Sequence, residues 1–409
     1  MDIASDRVTK GANLGAAAFY MATAIPMSCV FYLLPALLRE EGHDATTIGL
    51  LSLVYLPYAL RVIWAPLVDR YANGSARRYR QVMQVMLIGA VLAVAGFCLF
   101  DPATQLWGIV GIATLLFTLL ATGTTGLDGF SITTFDARGR QRASIWQTVG
   151  FTLGGVVFAL GMLLTAGLGW AALVLIIAAA TALAALPLFF GRAPEAEPVS
   201  EPPVPEATRP ETSLMAFLRQ PAVLRLLLLS LLTKAGLGMV AGYLPVLQVD
   251  FGVSAAHAGF FGALGSNVLG LGAAFVSGLL MMKIGGLRTV GWVCLIAVPV
   301  FVFAALFQAG IRATPSAPLF AVAMSLTFLT LGYACVAPFK ALSLLLSDGK
   351  AAASRAAILA SVDLTLSILA ASVSGALVTA LSLSPFLWLS MALCLLSALV
   401  AFASPTLSK

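Results

Sequence analysis

Charge is what this sequence has least of. Lys, Arg, Asp and Glu make up 10% of its 409 residues, where a water-soluble domain carries about 25%. With 60% hydrophobic residues and a mean hydropathy of +1.00, so much apolar surface cannot be hidden in a water-washed core. Most of it is expected to face lipid. Histidine is nearly missing: His43 and His257 are the only two, in or at the edge of expected loops, so a His-built metal site is not expected. Cys29, Cys98, Cys294, Cys335 and Cys394 lie in apolar runs with no CxxC spacing, so they read as small buried hydrophobes. There is no GxxxxGK[ST] phosphate loop, hence no nucleotide motor. The net charge of +6 is spread between apolar runs instead of forming one patch, so no nucleic-acid partner is expected, and neither a cofactor nor a metal. The first apolar run, 11–38, is too long for a cleavable signal peptide and lacks a cleavage site.

What is present is a series of apolar runs. Charge clusters and Pro/Gly breaks divide the chain into twelve spans, 12–38, 46–66, 81–100, 105–131, 142–166, 169–190, 222–247, 256–283, 287–310, 317–346, 354–381 and 385–404. Each is long enough to cross a bilayer as a helix, and the dyad alternation of a membrane barrel is absent. Of the 23 Lys and Arg, 18 fall in alternate loops or at the termini, only Arg39 and Arg312 fall in the opposite loops, and Arg61, Lys234 and Lys340 lie inside spans. By the positive-inside rule both termini and the central loop are expected in the cytoplasm. Residues 192–221, which between Arg192 and Gln220 carry six prolines and five glutamates (Pro194, Pro198, Pro202, Pro203, Pro205, Pro210; Glu195, Glu197, Glu201, Glu206, Glu211), read as an extended tether. It separates an N-terminal six-helix bundle, 1–191, from a C-terminal one, 222–409.

The two groups of six echo each other. Leu34-Pro35, Gly42 and Gly49 recur as Leu244-Pro245, Gly252 and Gly259, each 210 positions later. With a three-residue slip, the stretch around Asp69-Arg70 recurs as Gly278 to Gly285, with Met282 in the acid's place. The two copies run in the same orientation across the expected membrane, so the chain reads as two halves built from one repeated unit of six spans.

Five ionisable residues sit inside spans: Arg61, Asp128, Lys234, Lys340 and Asp363. Each costs at least about 2.5–3.5 kcal/mol at a helix centre unless it is paired or faces water. Lys234 is near the midplane, flanked by Gly236, Gly238 and Gly242. It reads as an anchor for an anionic substrate or a partner for a proton-carrying acid, the alternative being a structural pair with Asp363. Asp128 and Lys340 lie deep in spans four and ten, as an opposed gate pair or as two solvated ends. Asp128 and Asp363 are the only acids within spans able to carry a proton. Arg61 and Asp69, with Arg70, are expected to hold the inward gate, a role implied by the family resemblance of the loop after span two. Tyr20, Tyr32, Tyr55, Tyr58, Trp146, Gln147, Asn267 and Tyr333 are candidate cavity residues, with packing between helices as the alternative.

One stretch carries a resemblance. Asp69-Arg70 followed by Arg77, Arg78 and Arg80 is similar to the G-x-x-x-D-R-x-G-R-R loop of the major facilitator superfamily, with Ala65 where the glycine stands and the basic tail delayed. LPALLREEG…TIGLLSLVYLPYALRVIWAPLVDR, from Leu34 to Arg70, resembles the siderophore permeases of the rhizobactin and pyochelin type, relatives of the AmpG muropeptide permeases. TKAGLGM around Lys234 resembles their Y-K-L-G-D segment, with Leu237 in place of its acid. GLDGF around Asp128 and WQTVGFTLGG resemble AmpG-type segments, with Thr124 and Thr152 where that branch has an acid and an arginine.

These readings converge on an all-α membrane protein of twelve helices in two six-helix bundles. The resemblance implies an ion-driven, monomeric transporter of the bacterial inner membrane working by alternating access. Its small-molecule substrate would be a siderophore or its ferric complex, moved inward by proton symport. The runner-up is a muropeptide or a drug-like efflux substrate. A membrane enzyme would need an acid/base or metal constellation, and neither an intramembrane histidine nor paired acids at close helical spacing appear; a signalling scaffold would need a motif-bearing linker.

Overall fold

The computed structural model describes residues 3–135, 137–165, 167–190, 217–346 and 352–403. The tether expected over 192–221 falls almost wholly outside them. Twelve described helices are long and apolar enough to cross a membrane: α1 Gly11–Glu40, α2 Ala45–Ile63, α3 Ala76–Leu99, α4 Leu106–Thr134, α5 Trp146–Leu164, α6 Trp170–Phe190, α7 Pro221–Asp250, α8 Ala255–Ile284, α9 Gly286–Arg312, α10 Ala317–Ser343, α11 Ala357–Leu381 and α12 Leu383–Ala403. No strand occurs among the described residues. Helices satisfy every backbone group internally, which lipid requires. Their outer faces carry side chains that water would not tolerate in such number; Trp107, Phe190 and Leu164 are 81–86% exposed.

Several helices are broken where the sequence breaks them. Pro35 cannot donate within α1, and directly before it Cys29–Leu33 widens into a π turn closed by Leu34 N–H onto the Cys29 carbonyl. In α2, Pro57 follows a 3₁₀ stretch, Leu51–Tyr55, and a second 3₁₀ turn begins at Arg61. Further π turns span Lys234–Gly238 in α7 and Gly265–Leu269 in α8.

The repeat is visible as backbone geometry. Gly42 and Gly252 both sit at positive φ, 89° and 87°. In both places the glycine N–H returns to the third carbonyl before it (Arg39, Val249) and the next N–H to the fifth before that (Leu38, Gln248). That is one Schellman cap, used twice. Two residues on, Asp44 and Ser254 cap α2 and α8 by accepting from the Thr47 and His257 amides.

The chain packs as two compact units, Met1–Leu34 with Val54–Val204 and Pro35–Leu53 with Pro205–Lys409. In the first, Gly150 and Gly154 of α5 lie on the Ala17 and Met21 carbonyls of α1, leaving no room for a side chain. In the second, Gly375 of α11 lies on the Ala45 carbonyl and Gly49 on that of Ser372. The segment Pro35–Leu53, which the repeat assigns to the first half, thus packs with the second unit through backbone contacts that only glycine permits.

Candidate functional site

Among the described residues, each unit holds an ion pair that joins two of its membrane helices away from their ends. In the first, the 3₁₀ turn of α2 presents Arg61 to α4, and its Nη1 lies 3.1 Å from Asp128 Oδ2. One turn earlier the Tyr58 hydroxyl lies 2.8 Å from Thr124 Oγ1. Thr124 gives its own proton to the Leu120 carbonyl, so Tyr58 is the donor. Tyr58 with Arg61, and Thr124 with Asp128, are spaced three and four residues apart, so two parallel rungs join α2 to α4. Trp64 Nε1 adds a third to Thr122 Oγ1 at 3.1 Å. Thr124, where the resembling branch has an acid, therefore ties the two helices together.

Asp128 is 51% exposed, so the pair borders open space. Tyr20 of α1 lies within Coulombic reach of Asp128, Tyr58 and Arg61, its ring edge-on to Phe151 at 6.3 Å. Gln147 of α5 reaches Ser131 Oγ at 3.4 Å. Tyr32 stands apart with Phe31, whose ring stacks at 3.7 Å on Tyr55.

Arg61 and Asp69, read together from the sequence, make separate contacts. Asp69 sits on the short helix Ala65–Ala72 and accepts a 2.8 Å hydrogen bond from the Tyr79 hydroxyl. The Tyr79 ring lies against Gly129, the neighbour of Asp128. Arg70 is exposed. Arg80, read as part of a basic surface cluster, instead bonds the Leu188 carbonyl near the end of α6, as does Gln84 at 3.1 Å.

In the second unit, Lys234 opens the π turn of α7 and its Nζ lies 3.4 Å from Asp363 Oδ2 on α11. Ser230, one turn before Lys234, donates to Asp363 Oδ1 at 2.5 Å. The carboxylate is thus gripped twice by one face of α7. Lys234 also stands 5.8 Å from the centroid of the Phe339 ring. The two charges are 18% and 32% exposed. Behind them Thr233 and Ser397 share a 2.8 Å hydrogen bond, with Cys294 Sγ 3.7 Å from Ser397. Ser230 was missed in the sequence, although its place four residues before Lys234 was the available signal.

Other candidates go elsewhere. Asn267 is buried and its amide donates to the Ala263 carbonyl at 2.9 Å and to Ser266 Oγ at 3.2 Å. Its donors are held inside the α8 π turn. Tyr333 packs its ring on Gly270. Lys340, next to Phe339 on α10, is exposed, as is Trp146 on α5. No group of three or more His, Cys, Asp or Glu fit for a metal ion occurs among the described residues. Chemically, two carboxylates each lie close to a cation. Protonating either would release its cation, and an anionic ligand could replace either carboxylate.

The Major Facilitator Superfamily model matches residues 14–362. The anhydromuropeptide permease of Escherichia coli (strain K12) is 29% identical over 33% of this chain and 28% of its own length. The putative transporter AmpG 4 of Rickettsia felis is 23% identical over 65% of this chain and 66% of its own. The match spans only about a quarter of the length of the first curated relatives. Among solved structures, a bacterial homolog of the human lysosomal transporter Spinster, inward-facing and unoccupied, superposes with a TM-score of 0.69 over 98% of this chain and 97% of its own, at 16% identity. That likeness concerns the fold.

Proposed function

We propose, for a chain that belongs to the Major Facilitator Superfamily, a secondary transporter of the bacterial inner membrane. It imports a small amphiphilic solute of the anhydromuropeptide type, driven by protons. The observation that carries this reading is the Lys234–Asp363 pair with Ser230: a carboxylate within the membrane, held by a cation that its protonation would release. Arg61–Asp128 is a second such pair. The solute class rests on the muropeptide permeases among the relatives. The siderophore resemblance, carried by Leu34 to Arg70, is not shown by these comparisons.

Uptake by cells expressing the chain distinguishes the substrates. Labelled anhydromuropeptide should accumulate several-fold over an empty-vector control, and iron-labelled ferric siderophore should not. Accumulation of the siderophore alone would reverse the assignment, and loss of a preloaded drug would turn the direction outward.

A further inference from the structure

The second unit holds three thiols that its charge pair leaves unused. Cys294 of α9, Cys335 of α10 and Cys394 of α12 are 0%, 2% and 0% exposed. Three helices bring them to one point, with Cys294 as the hub. Its side chain is within hydrogen-bonding reach of both Cys335 and Cys394. Its Sγ also lies 3.7 Å from Ser397 Oγ and 4.0 Å from Thr233 Oγ1. A buried thiol among hydrocarbon is inert. Cys294 instead has two hydroxyls and two further thiols around it.

The cluster lies where two helices are broken. α10 is interrupted at Cys335, between the helical stretches Ala317–Ala334 and Val336–Leu346, because Pro338 has no N–H to give the Ala334 carbonyl. The Cys335 N–H turns back to the Gly332 carbonyl at 3.2 Å. On the other side, Gly236 in the π turn of α7 lies against Cys394, and a Cβ there would collide with its Sγ. That turn opens with Lys234, which stands 5.8 Å from the Phe339 ring on the far side of the α10 break. Lys234 and Asp363 are both within Coulombic reach of Cys335. They are 18% and 32% exposed, which gives a small neutral molecule an approach to the thiols.

We infer that Cys294 and Cys335 are an oxidation site for hydrogen peroxide, which joins them in a disulfide that ties the break of α10 to α9 and halts transport. The Cys294 sulfur attacks one peroxide oxygen and the O–O bond breaks. The sulfur becomes a sulfenic acid, and the departing hydroxide takes the thiol proton and leaves as water. The Cys335 sulfur then attacks the sulfenic sulfur, and the hydroxyl leaves with the Cys335 proton as a second water. Two thiols are oxidised by two electrons, and one peroxide is reduced by two electrons. A helix bends at such a break, and the cross-link removes that freedom beside the turn that aims Lys234. Only this consequence rests on the transporter reading. The bond is detected without substrate, so the two fail separately.

The test treats the purified protein in liposomes with hydrogen peroxide, blocks the remaining thiols with a maleimide and maps the digest by mass spectrometry. A peptide pair joined through Cys294 and Cys335 is expected, released by dithiothreitol. It should be absent in Cys294→Ser and Cys335→Ser and should persist in Cys394→Ser, with alanine in place of serine where a serine variant is not recovered. Cys98 is partly exposed while the other four cysteines are buried, so it is the competing target. Oxidation confined to Cys98, or a bridge from Cys294 to Cys394 instead, overturns the site. Uptake of labelled anhydromuropeptide by the same liposomes should fall several-fold with peroxide and recover with dithiothreitol, while Cys294→Ser keeps its own untreated rate. A bridge that forms without slowing uptake overturns the halt. Lack of uptake by the untreated parent would count against the substrate reading, with the bridge still read from the digest.

Discussion

Lys234 and Asp363 supply each other's counter-charge at 3.4 Å, in an environment where an unmatched charge costs about 2.5–3.5 kcal/mol at a helix centre. Removing either strands the other, so K234A and D363A should both be recovered in lower yield than the double variant K234A/D363A. A pair that only stabilises would leave the double variant transporting normally. A pair that carries the proton would leave it folded and able to exchange substrate across the membrane, but unable to accumulate it. Exchange and accumulation assays on these three variants separate the roles, and wild-type accumulation by the double variant would make the pair structural. The energetic cost of charge in apolar spans made Arg61, Asp128, Lys234 and Asp363 legible in the sequence. The partner of Arg61 was not, because partnership depends on how a helix is turned. Arg61 and Asp69 are near in sequence, but the break at Trp64 lies between them, and Arg61 meets Asp128 on α4 instead. The place of Asn267 depends on its helix in a related way: its amide donates to the carbonyl one turn back, at the start of the widened turn.

At the scale of the element, caps and glycines do most of the placing. Asp44 starts α2, and hydrogen bonds from the Thr47 hydroxyl and then the Thr47 amide hold its carboxyl below the usual carboxylate value. A depressed carboxyl stabilises the fold above its unfolded-state pKa, and that contribution is lost as pH falls through the folded-state value. Asp44→Ala should therefore cost about 1 kcal/mol at neutral pH. Thermal unfolding in detergent should show its gap to wild type narrowing as the medium is acidified below the ordinary carboxylate range. A gap that persists unchanged there would mean the cap does not act through its charge. The capping pair Gly42 and Gly252 was legible because positive φ restricts the choice of residue and so leaves a mark in the sequence. The π turns were not, since they depend on which carbonyl a neighbouring side chain or proline leaves unpaired.

At the scale of the molecule, twelve spans could be read from charge and hydropathy alone, because lipid permits few alternatives. The grouping of Pro35–Leu53 with the second unit could not, as it arises from glycine contacts and one ion pair between segments more than two hundred residues apart. We propose that Asp363 and Lys234 couple a proton gradient to solute accumulation. The most direct measurement is uptake of labelled anhydromuropeptide by liposomes containing the purified protein, with the pH imposed lower outside than inside. Accumulation above the external concentration is expected, abolished by a protonophore and absent in D363A, which should at most equilibrate the label. Accumulation that survives the protonophore, or that D363A performs as well as wild type, would contradict it.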